Sequence, residues 1–358
     1  MRVIFKTSYD QDIRLFKHSG YVFWYGLLLL ALLLAPLLLD AFYIGELSMI
    51  FIYAIAGLGL MLLVGYTGLV SLGHAAFLAI GAYAHAYLIG HGWPFLLALP
   101  TAGLISAAAG LLIALPASRM TGIYLAIATL AFAIIVEQLV INLKSITGGF
   151  QGMAVDHPVL FGVSLTEPWQ FYFVCLAVLI LVLLGCANLL RAPTGRALMA
   201  IRDSEISAQS MGIPLARYKA IAFGLSAGIT GLAGGLFAHK LSYLAPDAFN
   251  IILSIQLLLM VVVGGLGSLH GAIYGALFIG FLPQALAILR DYLPPGVANT
   301  PGLEAGIFGL ILMLFIIFEP QGLYGRWRKV KLYFDIFPLY RKATFKRQKV
   351  FLKTERLQ

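Results

Sequence analysis

Residues 191–219 read RAPTGRALMAIRDSEISAQSMGIPLARYK. This is the longest polar run between the first apolar segment and the C-terminal tail, and apolar segments stack up on both sides of it. Five of its residues are basic (Arg191, Arg196, Arg202, Arg217, Lys219) and two are acidic (Asp203, Glu205). Around it the 358-residue chain is 61% hydrophobic and 11% charged, against roughly 25% charged in an ordinary soluble domain. So few polar residues cannot cover a soluble surface. The chain therefore reads as an all-α integral membrane protein, with 191–219 held outside the lipid.

A membrane helix needs about 20 mainly apolar residues. Ten segments meet that measure: 21–39, 47–65, 72–90, 95–115, 121–142, 170–190, 220–239, 251–267, 271–289 and 303–319. The third contains Gly73, His74, Gly81 and His85 and reads as either continuous, broken or re-entrant. Basic residues set the orientation, because cytoplasmic loops carry the excess of Lys and Arg. With the N-terminus inside, the cytoplasmic set holds Arg2, Lys6, Arg14 and Lys17 of the arm, Arg119, the five of 191–219 and the eleven of the tail. Only Lys144, Lys240 and Arg290 fall elsewhere. Both termini are thus expected in the cytoplasm: an arm over 1–20, a transmembrane domain over 21–319 with 191–219 inside it, and a basic tail over 320–358. Trp24 and Trp327 fall at predicted inner ends, and Trp93 and Trp169 at outer ends, the headgroup level that Trp prefers.

Several classes fall away. The formal net charge of +9 lies in arm, loop and tail rather than in one basic patch, so nucleic acid is not an expected partner. The tail interleaves basic and aromatic residues and is expected to lie on membrane lipid, where each basic residue gains about 1 kcal/mol. The N-terminal segment lacks a small-residue cleavage site after Leu39 and reads as a first span, not a cleavable signal. Cys175 and Cys186, eleven residues apart on one helix, are about 16 Å apart along the axis, too far for a disulfide. No CxxC or HExxH pattern points to a metal. No GxxxxGK[ST] is present, so the chain has no phosphate loop for ATP.

Four stretches carry polar groups where an apolar chain would not place them by chance. In 65–76, Thr67, Ser71 and His74 lie among glycines at a membrane boundary; they either cap and pack helices or serve a pathway and its gate. In the fifth span Gln138 and Asn142 share a helix face, beside Glu137, the one acidic residue well inside a predicted span. That group either lines a translocation path or makes interhelical hydrogen bonds near the outer headgroups. Thr147, Gly148, Gly149 and Gly152 mark a turn where the fifth span emerges, into an outer loop of irregular backbone over 143–169. In the central loop, 197–212 reads as a short helix whose Arg202, Glu205 and Gln209 share a face, ended by Gly212 and Pro214.

GYTGLVSLGHAAFLAIGAYAHAYL (65–88), GIYLAIATLAFAIIVEQLV (122–140), TGGFQGM (147–153), RALMAIRDSEISAQSMGI (196–213) and GGLGSLHGAIYGA (264–276) together resemble the LivM-type permeases, the membrane subunits of ABC importers for branched-chain amino acids. The resemblance runs in order from about 21 to 325. It implies the fold of type II ABC importer permeases in the bacterial inner membrane. It also implies a periplasmic solute-binding protein, a second permease, and two cytoplasmic ATPase subunits that use the ATP; no cofactor is expected in this chain. The central loop then resembles the coupling helix that docks on an ATPase, with Arg202, Asp203, Glu205, Gln209 and Gly212 as contacts. The family pattern E-A-A-x3-G is matched by Glu205, Ser207-Ala208 and Gly212 with one extra residue before the glycine, and the trailing I-x-L-P is absent.

Alternatives stand beside this reading. The same importer type serves urea or small organic and aromatic acids. An ion-coupled secondary carrier would need intramembrane carboxylates, for which Glu137 is the one candidate. A polytopic membrane enzyme would need His, Asp or Glu clustered at one face, whereas His74, His85, His91, His157, His239 and His270 are spread over both predicted faces. Five spans on either side of the middle would make an inverted repeat, but no letter-level repeat supports it. The similar stretches 65–77 and 264–274 both fall at inner turns.

Overall fold

A backbone in lipid must satisfy its own N–H and C=O groups, so each apolar run closes into a helix. The computed structural model describes residues 19–160, 162–291, 303–319 and 321–336. Its helices are α1 (Ser19–Leu38), α2 (Ala41–Leu60, continued by a π-helical turn Met61–Gly65), α3 (His74–Gly90), α4 (Phe95–Ala117) and α5 (Ile123–Asn142). The short α6 (Lys144–Thr147) leads to α7 (Pro168–Arg191), α8 (Pro193–Asp203), α9 (Glu205–Ser210) and α10 (Leu215–Leu241). Last come α11 (Ile251–Gly264), α12 (Leu269–Asp291), α13 (Leu303–Phe318) and α14 (Gly322–Ile336). Seven helical segments are long and apolar enough to cross a membrane: α2 with its π turn, α4, α5, α7, α10, Pro246–Gly264 and Leu269–Leu286. Val22–Leu38 and His74–Gly90 are shorter apolar helices, and α13 has 16 residues.

The centre of the bundle is α10, packed against α4, α3 and α2. Its sequence explains that position. Gly224, Gly228, Gly231 and Gly235 recur along one face, where an added Cβ would meet Leu111, Ala107, Ser106 and Leu99 of α4. Gly234 faces the backbone of Leu78 on α3. Without a hydrophobic drive between helices in lipid, close backbone approach over small residues supplies the packing. Cys175 and Cys186 of α7 are both buried free thiols, used for packing.

The connections sort to two ends. At one end lie the α2–α3 turn, α8–α9 and the α11–α12 turn, joined through Arg202, which reaches Gly65 and approaches Gly68 and Gly267. The start of α1 is at this end, where the Tyr25 hydroxyl bonds His270 Nε2 at 2.7 Å, and so is α14, whose Tyr324 stacks on His270 at 5.8 Å. At the opposite end the outer loop crosses the α10–α11 turn through a two-residue bridge, β1 (Met153–Ala154) with β4 (Tyr243–Leu244). A second bridge, β2 (Val159–Leu160) with β3 (Val163–Ser164), lies within the loop.

One open alternative is settled, one expectation is corrected, and two segments lie partly outside the described residues. The third apolar segment is not broken: residues 68–73 are non-helical, and α3 then runs unbroken from His74 to Gly90. The stretch 197–212 is not one helix. Ser204 adopts an extended backbone (φ −165°, ψ 114°) and caps α9 by accepting from the Ser207 amide at 3.2 Å. The reason is local: a serine hydroxyl competes with helix continuation and favours a new N-cap. The expected arm lies outside the described residues except for Ser19 and Gly20, which open α1; the tail is described through α14, and 337–358 lies outside.

Candidate functional site

The start of α3 forms a joint of buried polar groups. Ser226 of α10 donates its hydroxyl hydrogen to the Gly59 carbonyl of α2 at 2.6 Å. It must therefore accept at its other contact, from His74 Nε2 at 2.8 Å. That places the ring proton on Nε2, and Nδ1 accepts from Ser71 at 2.9 Å. The chain Ser71–His74–Ser226–Gly59 thus ties three helices with every hydrogen used. Thr129 of α5 accepts from the Leu72 amide at 3.0 Å, and Ser254 of α11 accepts from the Ala75 amide at 3.0 Å. Thr67 donates to the Leu62 carbonyl at 2.8 Å. The Thr67, Ser71 and His74 side chains are thus all engaged in hydrogen bonds within the bundle.

The central segment hangs from that joint. Arg202 Nη1 donates to the Gly65 carbonyl at 3.0 Å, and its Nη2 pairs with Asp203 at 3.1 Å. Glu205 pairs with Lys219 at 2.8 Å. The Lys219 side chain is only 1% exposed and that of Glu205 is 32% exposed, so this pair roots α9 on α10 and leaves Glu205 half-buried. Gln209 and Gly212 are exposed, the glycine at φ +83°. The largest protrusions were missed by the polar-face reasoning: Ile206 is 84% exposed and Met211 82%. An isoleucine and a methionine inside a solvated loop were the available signal.

At the opposite end, neighbours in sequence part company. Glu137 turns into a notch between α3, α5 and the Pro246–Phe249 turn. Gln138 and Asn142 are exposed on another face, where the Asn142 amide donates to the Gln138 carbonyl at 2.7 Å. Thr147 donates to the Val140 carbonyl at 2.6 Å and closes the glycine turn. Two histidines that the sequence left scattered come together. His239 Nδ1 donates to the Asp156 carbonyl at 2.9 Å, so its Nε2 accepts from His85 Nε2 at 2.8 Å, tying α3, α10 and the outer loop. Among the described residues no group of three or more His, Cys, Asp or Glu is arranged to hold a metal.

The family model for the branched-chain amino acid transport system permease component matches residues 42–317. The high-affinity branched-chain amino acid transport system permease protein LivM of Salmonella typhimurium is 37% identical over 302 residues, covering 77% of this chain and 68% of that one. LivM of Escherichia coli is 37% identical over 298 residues, covering 76% and 67%. The probable LivM of Methanocaldococcus jannaschii is 25% identical over 232 residues, covering 64% and 67%. A solved structure, PsaBC from Streptococcus pneumoniae in complex with Fab, superposes with a TM-score of 0.44 at 16% identity over 85% of this chain and 99% of that one. By the family match over most of its length and by its likeness to the LivM proteins, the chain belongs to the family of branched-chain amino acid transport system permease components.

Proposed function

We propose that the chain is a permease subunit of an ATP-driven importer and forms half of the translocation pathway for branched-chain amino acids delivered by a periplasmic binding protein. A second permease of similar fold supplies the other half, and two cytoplasmic ATPase subunits bind and hydrolyse the ATP. In this reading all ten apolar helices, α1–α5, α7 and α10–α13, cross the bacterial inner membrane in the type II arrangement. Both termini and the α8–α9 segment then face the cytoplasm.

The observation that carries the proposal is the build of α8–α9. Two large apolar side chains, Ile206 and Met211, project from a segment whose root is pinned by Arg202 to the α2–α3 turn and by Glu205 to Lys219 of α10. Apolar anchors ringed by polar residues are the form of a docking point for another protein. Movement of the tip passes directly to α2, α3 and α10, the core of the bundle.

The test is transport by the whole complex in vesicles. The wild type takes up leucine, isoleucine or valine only with ATP and binding protein. Changing Ile206→Asp with Met211→Asp lowers uptake and solute-stimulated ATP hydrolysis about tenfold or more, and releases the ATPase subunits on purification while the permease melts normally. Changing Arg202→Ala with Glu205→Ala leaves the ATPases bound but uncouples hydrolysis from uptake. Normal coupled uptake by the Ile206/Met211 variant removes α8–α9 from the coupling role.

A further inference from the structure

We propose that Tyr83 and Glu137 form a notch that binds the α-ammonium group of the passing solute. This rests on the importer reading above and names the chemistry its pathway recognises. The notch lies where α3 and α5 meet the Pro246–Phe249 turn, with Ala79, Val140 and Phe249 among its walls. The space open to the centre of a water-sized sphere is about 10 Å³, room for about one water or one ammonium head.

Two residues that line this space, Tyr83 and Glu137, carry polar groups without partners among the described residues. The Tyr83 side chain is buried, the residue 4% exposed, and among the described residues its hydroxyl makes no hydrogen bond. Glu137 is half-buried, and among the described residues its carboxyl group makes no ion pair or hydrogen bond. An unsatisfied buried hydroxyl costs about 1–3 kcal/mol, and an ionisable group at membrane depth is costly as well. At its start α3 avoids such costs, since His74 spends both ring nitrogens. An ammonium group offsets both at once. It has three N–H donors and a positive charge, while a carboxylate and a phenolic oxygen are acceptors. The Tyr83 and Phe249 rings, with centroids 5.8 Å apart, add aromatic faces that attract a cation. Asp247 stands exposed on the adjoining turn and adds negative charge at the approach. Ala76, Ala133 and Val136 complete the apolar wall of the space.

Such a notch favours amino acids over the organic acids and urea that the importer type also serves. A 2-oxo acid brings no cation and meets two carboxyl groups; urea brings no charge. A resident water could bridge the Tyr83 hydroxyl and the Glu137 carboxyl group without adding charge, and the notch would then be indifferent to the solute.

The experiment compares the complete importer carrying wild-type permease, Glu137→Gln, Glu137→Asp and Tyr83→Phe in vesicles, with leucine-loaded binding protein outside. Glu137→Gln is expected to lower leucine uptake about tenfold and Tyr83→Phe about threefold, while ATP hydrolysis stimulated by the loaded binding protein stays within about twofold of wild type. Glu137→Asp, which keeps the carboxyl group, restores part of the uptake. Wild-type uptake in both Glu137→Gln and Tyr83→Phe overturns the proposal and leaves the notch to a water. A fall in uptake matched by an equal fall in stimulated hydrolysis also overturns it, since the groups would then be structural. Should Glu137→Gln fail to assemble, the isosteric Tyr83→Phe decides alone. A wild-type complex that does not import leucine defeats the importer reading itself, a result distinct from any variant's.

Discussion

The two ends of α3 hold polar groups in opposite states. At the start, His74 sits in a dense joint where Ser71, Ser226 and Gly59 use every hydrogen. Nine residues on, the Tyr83 hydroxyl is buried with no partner, as is Nδ1 of His85. Both ends lie in the same helix and against the same neighbour, α10, so packing alone does not separate them. In the function proposed above, the difference is what each end must do. A joint that carries movement from α8–α9 gains from rigidity, and fully satisfied networks give it. A surface that meets a solute gains from groups left without partners, because a ligand can complete them.

The comparison rests first on the two helices being held in contact, and Gly81 tests that. A Cβ there would collide with the Gly231 backbone of α10. Gly81→Leu should cost about 3 kcal/mol or more, read as loss of monodisperse permease after detergent extraction. A variant that stays folded would mean that α3 and α10 are not closely seated. Next, His74→Ala removes Ser71's acceptor and Ser226's donor and opens a cavity. The expected loss is about 2–4 kcal/mol, visible as a lower Tm in detergent. An unchanged Tm with abolished transport would move His74 from the joint to the pathway. The smallest effect belongs to the other end: Tyr83→Phe should leave stability within about 1 kcal/mol of wild type, or raise it, because only an unsatisfied hydroxyl is lost. A drop as large as that of His74→Ala would show that the hydroxyl had a partner, and the contrast between the ends would collapse.

Much of this was legible in the chain. The apolar runs place α2, α4, α5, α7 and α10, and the distribution of Lys and Arg groups the turns as the bundle does, with Gly65, Arg202 and Gly267 at one end. The look-alike stretches 65–77 and 264–274 prove to be neighbours there, since Gly65 and Gly267 approach each other closely. Glu137 drew notice because an acid inside a span is costly. Helical spacing then grouped Gln138 and Asn142 with it, but only Glu137 faces the notch. Spacing reports which residues share a face, not which face meets a neighbour. The central segment was recognised as ordered, yet its polar face was weighted over Ile206 and Met211. Glu205 is tied to Lys219, fourteen residues on, a partner that spacing within the loop does not reveal.

What the sequence by itself determined is the membrane class, the helices, their two ends and the family. Each of those depends on local chemistry: a span satisfies its own backbone, a loop's charge is counted where it stands, and motif blocks are read in order. What only the tertiary structure decided is which polar side chains find partners. His85 and His239 meet across 154 residues, and His74 and Ser226 across 152, while Tyr83 meets none. Those outcomes depend on how α3 and α10 are seated over their glycines, and no periodicity within either helix encodes the partner's register.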